Sequence, residues 1–289
     1  MNGSRIPSDV NQANLKPLQA PFHNVVELRL IHCTFQTSSC FLLFIAAFPN
    51  IQTLHLSGVR LIDTDDLHVI PSNAPRPTLR KLVFFESSIG DEIPFFELFG
   101  NWLCTLSVDV LQTIKLVVYI HHEAPGICLQ PILKALGAYL HHLTIDSRYS
   151  ISAEECVCFD PIRTFESDLD SFKIVPALSY CTSLKTLLIN QRSHDWSFFL
   201  GIMKSIHAST VSHVTIRFSA ISYLVTDYRL FSSIDETLSQ TRFRDIQTVK
   251  LVLYGNDTLT PRDIQSLHEK LPSLAIKGLI KFEELNEWW

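Results

Sequence analysis

Aliphatic residues return along this chain in one short pattern: an aliphatic, two spacers, an aliphatic, one spacer, an aliphatic. The eight copies begin at Val25, Ile51, Leu79, Leu111, Leu140, Leu184, Val211 and Ile246. They read VVELRL, IQTLHL, LRKLVF, LQTIKL, LHHLTI, LKTLLI, VSHVTI and IQTVKL. Alternation of this kind is strand periodicity, because successive side chains of a strand point to opposite faces. With 46% apolar residues, the template alone would recur by chance in roughly a tenth of windows, so the weight falls on spacing. Successive copies start 26 to 44 residues apart, about 32 on average, and such a period marks a repeat architecture.

Helical patterns fill most of the gaps. Phe41, Leu42, Leu43, Ile45, Ala46 and Phe48 precede the break at Pro49-Asn50. Ile127, Leu129, Ile132, Leu133 and Leu136 keep three-and-four spacing, with Gly137 as the stop. Trp196, Phe199, Leu200, Met203 and Ile206 repeat that spacing, and Phe231, Ile234 and Leu238 do so more thinly. Near the C-terminal end, Thr260 is placed to cap a helix, with Pro261 at its first position and Asp263 in its first turn. A side-chain oxygen and a negative charge there meet unpaired backbone N–H groups. Ile264 and either Leu267 or His268 would face inward, Leu271-Pro272 would end the helix, and a last strand is expected over Ala275 to Phe282.

Stacked strand-plus-helix units bury in their neighbours the apolar face that none can bury alone. The phrases AAFPNIQTLHLSGVRL, PTLRKLVF, LKALGAYLHHLTI, CTSLKTLLI and LHEKLPSLAIKGLIKF resemble leucine-rich repeats. In particular they resemble the irregular repeats that follow the F-box in many fungal F-box proteins, over roughly residues 22 to 283. The expected fold is therefore α/β, a leucine-rich-repeat-like solenoid with a curved parallel sheet and helices on its convex side. Residues 1–20 are polar and aperiodic and read as a disordered tail. Residues 21–289 read as one solenoid domain, with an insertion near 147–170 rich in Asp, Glu and Ser. Regular leucine-rich repeats carry Asn or Cys three residues after the third aliphatic. Those positions here are Cys33, Val59, Ser87, Tyr119, Arg148, Arg192, Ser219 and Tyr254, so only Cys33 conforms.

A net charge of −5 and a pI near 6.2, with no run of Lys and Arg, argue against a nucleic-acid partner. The N-terminus has no basic-then-apolar leader, and no apolar run reaches membrane-spanning length. A cytoplasmic or nuclear location without membrane contact follows, with the chain as a monomer. In such a compartment the seven cysteines serve as small hydrophobes rather than a disulfide framework. Asn2-Gly3-Ser4 and Asn256-Asp257-Thr258 match the glycosylation triplet by chance on this reading.

Chemistry-bearing patterns are sparse. The nine glycines form neither a phosphate-binding loop nor a dinucleotide fingerprint, and Gly-x-Ser-x-Gly is missing. His121, His122, His141 and His142 could suggest a metal, but strand-end imidazoles are the simpler account. Cys156 and Cys158 stand one residue apart with no second pair, and Glu154 and Glu155 beside them disfavour a thiolate. Asp63, Asp65 and Asp66 lack a cation-loop spacing and fit the start of a helix. No cofactor and no metal are expected.

If the aliphatic positions face the core, the spacers face the open side of the sheet. Its central row reads Arg29, His55, Val83, Lys115, Thr144, Leu188, Thr215 and Lys250. From it and the row after it we take Arg29, His55, Val83, Phe85, Lys115, Val117, Leu188 and Lys250 as the candidate protein-binding surface. Val83, Phe85 and Val117 would form an apolar patch of the kind that marks partner surfaces, unless another part of the chain covers it. Trp288-Trp289 would cap the last repeat or act as a docking peptide. The expected function is non-catalytic protein–protein recognition.

The family resemblance implies more: substrate holding within an F-box-type ubiquitin ligase, with ligase machinery as a partner. The F-box, a helical segment of some forty residues, does not fit in the twenty before the first repeat, so no adaptor-binding residue is assigned. The alternatives are a hydrolase-like or metal-dependent enzyme on an irregular α/β scaffold, and a decaying gene product without a defined function.

Overall fold

The computed structural model describes residues 22–63, 77–85, 99, 101–103, 112–120, 130–149, 178–191, 197–207, 210–218, 228–254 and 259–285. The chain forms two compact units, Met1–Val117 with Gly126–Leu140, and Val118–Pro125 with His141–Trp289. Both are α/β, with parallel strands and helices.

In the first unit the repeat strands are β1 (Glu27–Ile31), β3 (Thr53–Ser57), β5 (Lys81–Phe85) and the first part of β6 (Thr113–Ile120). They pair in parallel, each with the next repeat strand along the chain. The register matches the repeat positions: Leu28 opposite Leu54, Leu82 and then Ile114, with Leu30 opposite Leu56, Phe84 and then Leu116. Leu30, Leu54, Leu56, Leu82, Phe84 and Ile114 are buried, and each such side chain contributes about 1.5–3 kcal/mol over an exposed one.

A second, two-stranded parallel sheet joins β2 (Thr34–Thr37) to β4 (Arg60–Asp63). Each of these strands follows a repeat strand through a turn with a left-handed residue, His32 at φ 51° and Gly58 at φ 59°. The His32 N–H donates to the Ser57 carbonyl at 2.7 Å, and the Arg60 N–H to the Cys33 carbonyl at 2.9 Å. Asp63 ends a strand, pairing with Thr37 in the ladder. Asp65 and Asp66 lie outside the described residues.

Helix α1 (Ser38–Ala46) starts where the Thr37 hydroxyl accepts the Cys40 N–H at 3.1 Å. Nearly all of its residues are buried, as expected of a helix apolar on every side. Its Phe41 packs edge-on against Phe35 at 5.2 Å and Phe99 at 5.6 Å. Phe99 meets the Phe84 edge at 5.9 Å and stacks on Trp102 at 5.7 Å. Offset and edge-to-face rings like these are the favoured aromatic geometries. Helix α2 (Gln130–Leu136) stops before Gly137, as its sequence predicts, and a 3-10 turn follows; Ile127 and Leu129 lie outside the described residues.

The second unit orders β7 (His142–Tyr149), β8 (Thr186–Gln191), β9 (His213–Phe218), β10 (Thr248–Tyr254) and β11 (Ile280–Leu285), all parallel. Leu143, Leu187, Val214, Val249 and Ile280 stand opposite one another in turn, as do Ile145, Ile189, Ile216, Leu251 and Phe282. Ser147–Tyr149, expected to open the insertion, instead extend β7, and Ser147 pairs with Gln191. The rest of that insertion and the 1–20 tail lie outside the described residues.

Helices α3 (Ser197–Ser205) and α4 (Tyr228–Leu238) bury the expected Phe199, Met203, Phe231, Ile234 and Leu238. Helix α5 (Pro261–Lys270) carries a full capping box. The Thr260 hydroxyl accepts the Asp263 N–H at 3.2 Å, and the Asp263 carboxylate accepts the Thr260 N–H at 2.9 Å. The Thr260 hydroxyl also donates to that carboxylate at 2.6 Å, and this bond first, then the one from the Thr260 N–H, holds the Asp263 carboxyl below its ordinary range. Leu267, not His268, faces inward. A short helix α6 (Pro272–Ile276) follows, so Ala275 and Ile276 are helical and the last strand starts at Ile280. Asp235, buried on α4, supplies the α6 cap from 38 residues away. Its carboxylate accepts the Ser273 N–H at 3.0 Å and the Leu274 N–H at 2.9 Å.

Candidate functional site

The spacer rows form as the sequence predicts. In the first unit Arg29, His55, Val83 and Lys115 stand in register across four strands. In the second, Thr144, Leu188, Thr215 and Lys250 do the same, and β11 adds Lys281. Six of the eight candidate residues, Arg29, His55, Val83, Lys115, Leu188 and Lys250, lie on these rows. Phe85 pairs with Val117 one row on, but the side chains of both lie outside the described residues.

Solvent reaches these faces unevenly. Glu27, Arg29 and Lys81 are exposed, and His55, Lys115, Leu188 and Lys250 are half-buried. Val83 is 1% exposed, which corrects its expected place in an open apolar patch. In the second unit Asp146, Asn190 and Val252 are buried on the row after the central one. Access therefore lies toward the N-terminal ends of the strands, where His142 and His213 are exposed.

The Arg29 Nε donates to Glu27 at 2.6 Å, and the His55 Nε2 stands 3.3 Å from the same carboxylate. Arg29 above all, and then His55 and Lys81, hold the Glu27 carboxyl below its ordinary range. His55 is pushed down chiefly by partial burial. Glu27 opposes that shift, and Arg29, Lys81 and Lys115 add to it. In the second unit Lys250 pairs with Glu283.

The depressed His55 sets a sign. Its folded form resists protonation more than its unfolded form does, so the unfolded chain binds the extra proton first. Stability is then fully present above the ordinary histidine value of 6.5 and falls as pH drops through it. Replacing His55 with Gln is expected to flatten the loss of melting temperature between about pH 7 and about pH 5.5. Calorimetric scans across that window check this, and an unchanged slope would refute it. His142 is depressed in the same direction by burial, and then by His141 and Lys185.

The other chemical candidates are few among the described residues. Among the described residues no group of three His, Cys, Asp or Glu side chains could hold a metal ion. His141 and His142 sit with ring centroids 6.4 Å apart. Cys33, Cys40 and Cys181 are buried free thiols, and burial pushes Cys181 up to about 12, far from a reactive thiolate. His121, His122, Cys156, Cys158, Trp288 and Trp289 lie outside the described residues. Among the described residues no helix is long and apolar enough to cross a membrane. Neither the protein-family models nor the curated proteins give a match to this chain.

Proposed function

We propose that this chain is a non-catalytic protein-recognition module, built as a leucine-rich-repeat-like solenoid whose spacer face takes the partner. One observation carries the reading. The parallel register lines up the spacer residues of successive strands into continuous rows, with their N-terminal part open to solvent. Rows of side chains on rigid strands present a preformed surface, which reduces the entropy lost on association. On this reading the helices line the convex side. The resemblance to the repeats of fungal F-box proteins extends the proposal to holding a substrate for ubiquitin ligation, with no adaptor contact assigned.

The test compares the wild-type chain with Thr53→Trp and Leu188→Trp, which place bulk on half-exposed positions of the face, one in each unit. Immobilised proteins are exposed to native lysate and the bound fraction is identified by mass spectrometry. A partner held by the wild type and lost on a variant with unchanged melting supports the proposal. Identical bound fractions from all three proteins would overturn it.

A further inference from the structure

We infer that the outer edge of β11 is a self-association surface, to which a second copy of this chain adds its own β11 antiparallel. The inference concerns a strand edge and not the spacer face, so it goes beyond the recognition reading. Among the described residues β11 has β10 on one side and no strand on the other. Its core positions are open at this end. Ile280 and Phe282 are half-buried, whereas Val249 and Leu251 opposite them on β10 are 0% and 1% exposed. The end of a repeat array needs a cap or a partner over such positions. In the first unit, by contrast, the outer strand β1 has Leu28 and Leu30 buried.

The ladder determines which backbone groups face outward. The Val249 N–H donates to the Leu279 carbonyl at 2.8 Å, so Leu279, Lys281 and Glu283 direct their backbone groups to β10. Those of Ile280, Phe282 and Glu284 then point to the outer edge. Two antiparallel copies bond through these residues, and paired side chains share a face. Three two-fold registers engage at least two of them. Centring on Lys281 sets that cation against its own copy, and centring on Glu283 does the same to a carboxylate. Centring on Phe282 engages all three and sets Lys281 opposite Glu283 of the second copy, twice. These are the non-hydrogen-bonded pairs, where side chains come closest. Lys281 is exposed and makes no ion pair with a described residue. Glu283 holds Lys250 through Oε2, which leaves Oε1 for a second cation. Ile280 faces Glu284 of the second copy, an exposed residue that keeps its water. A lysine in an edge strand ordinarily discourages pairing. Read antiparallel, however, Lys-x-Glu is its own complement, and that favours a second copy over an unrelated strand.

Sedimentation equilibrium of the full chain tests this, at concentrations up to about 200 µM because small interfaces are weak. The wild type should form a dimer, where the sequence alone suggests a monomer. Lys281→Glu should weaken it roughly tenfold, since two opposite-charge pairs become two like-charge pairs. Lys281→Gln, which only removes the charge, should fall between. Combining Lys281→Glu with Glu283→Lys restores opposite charges across the axis and puts a carboxylate in register with Lys250, so the dimer should return. Melting curves of all variants should match the wild type. A monomeric wild type overturns the inference, whether the edge stays bare or another segment covers it. So does a dimer that Lys281→Glu leaves unchanged, or one that the double exchange fails to restore. Capture from lysate tests the spacer face alone, so the two readings fail separately.

Discussion

Leu56→Asp is expected to unfold the first unit. Leu56 is 1% exposed and stands in register between Leu30 and Phe84. Removing such a side chain costs about 2–5 kcal/mol through lost burial and the cavity left behind. A carboxylate in its place adds several kcal/mol more, since no cation shares that row. The sum rivals the whole stability of an ordinary domain, about 5–15 kcal/mol. Hydrogen exchange followed by mass spectrometry checks it. Peptides covering β1, β3 and β5 should lose their protection in Leu56→Asp and keep it in Leu56→Met. Wild-type protection in the aspartate variant would show that the aliphatic ladder is not the core.

Asp235→Ala is the second large effect, and it acts on the second unit. Helix α6 begins at Pro272 behind Leu271, whose side chain offers no cap, and the Ser273 and Leu274 N–H groups donate to the Asp235 carboxylate. A hydrogen bond to a charged group contributes about 1.5–3 kcal/mol. Losing two of them, and leaving buried donors without an acceptor, should cost about 3 kcal/mol or more. Asp235→Asn keeps one acceptor oxygen and should recover part of that loss. Urea unfolding of the three proteins checks the order wild type, Asn, Ala. An alanine variant as stable as the wild type would show that water satisfies those N–H groups instead.

The two effects differ in how readable they are. Leu56 follows from the repeat alone, because strand alternation and a near-constant gap determine which residues share a row. The register at Arg29, His55, Val83 and Lys115 was legible for the same reason. The α5 cap was also legible, since Thr260 and Asp263 meet within one turn. Asp235 was not, because its partners lie 38 and 39 residues away and are backbone groups that any sequence supplies.

The burial of Val83, Asp146 and Asn190 was hidden in another way. Periodicity assigns a residue to a face but says nothing of what screens that face from water. The β2–β4 sheet escaped because its strands are four residues long. In hindsight Cys33-Thr34-Phe35 and Val59-Arg60-Leu61 alternate in step, at the same offset as the repeat. The C-terminal strand was placed too early because Ala275 and Ile276 are apolar. Pro272 instead fits the first turn of a helix, where its missing N–H costs nothing.

Within each unit, the pairing of a repeat strand with its successor has a consequence for how the chain acquires its shape. The partners in these ladders are 26 to 44 residues apart along the backbone. Closing a loop of that size is entropically mild, because the cost grows only with the logarithm of length. In N-to-C synthesis the earlier strand of each pair emerges first, so the edge that a new strand needs lies in the segment just before it. Assembly can therefore proceed in step with translation, with little waiting for distant sequence.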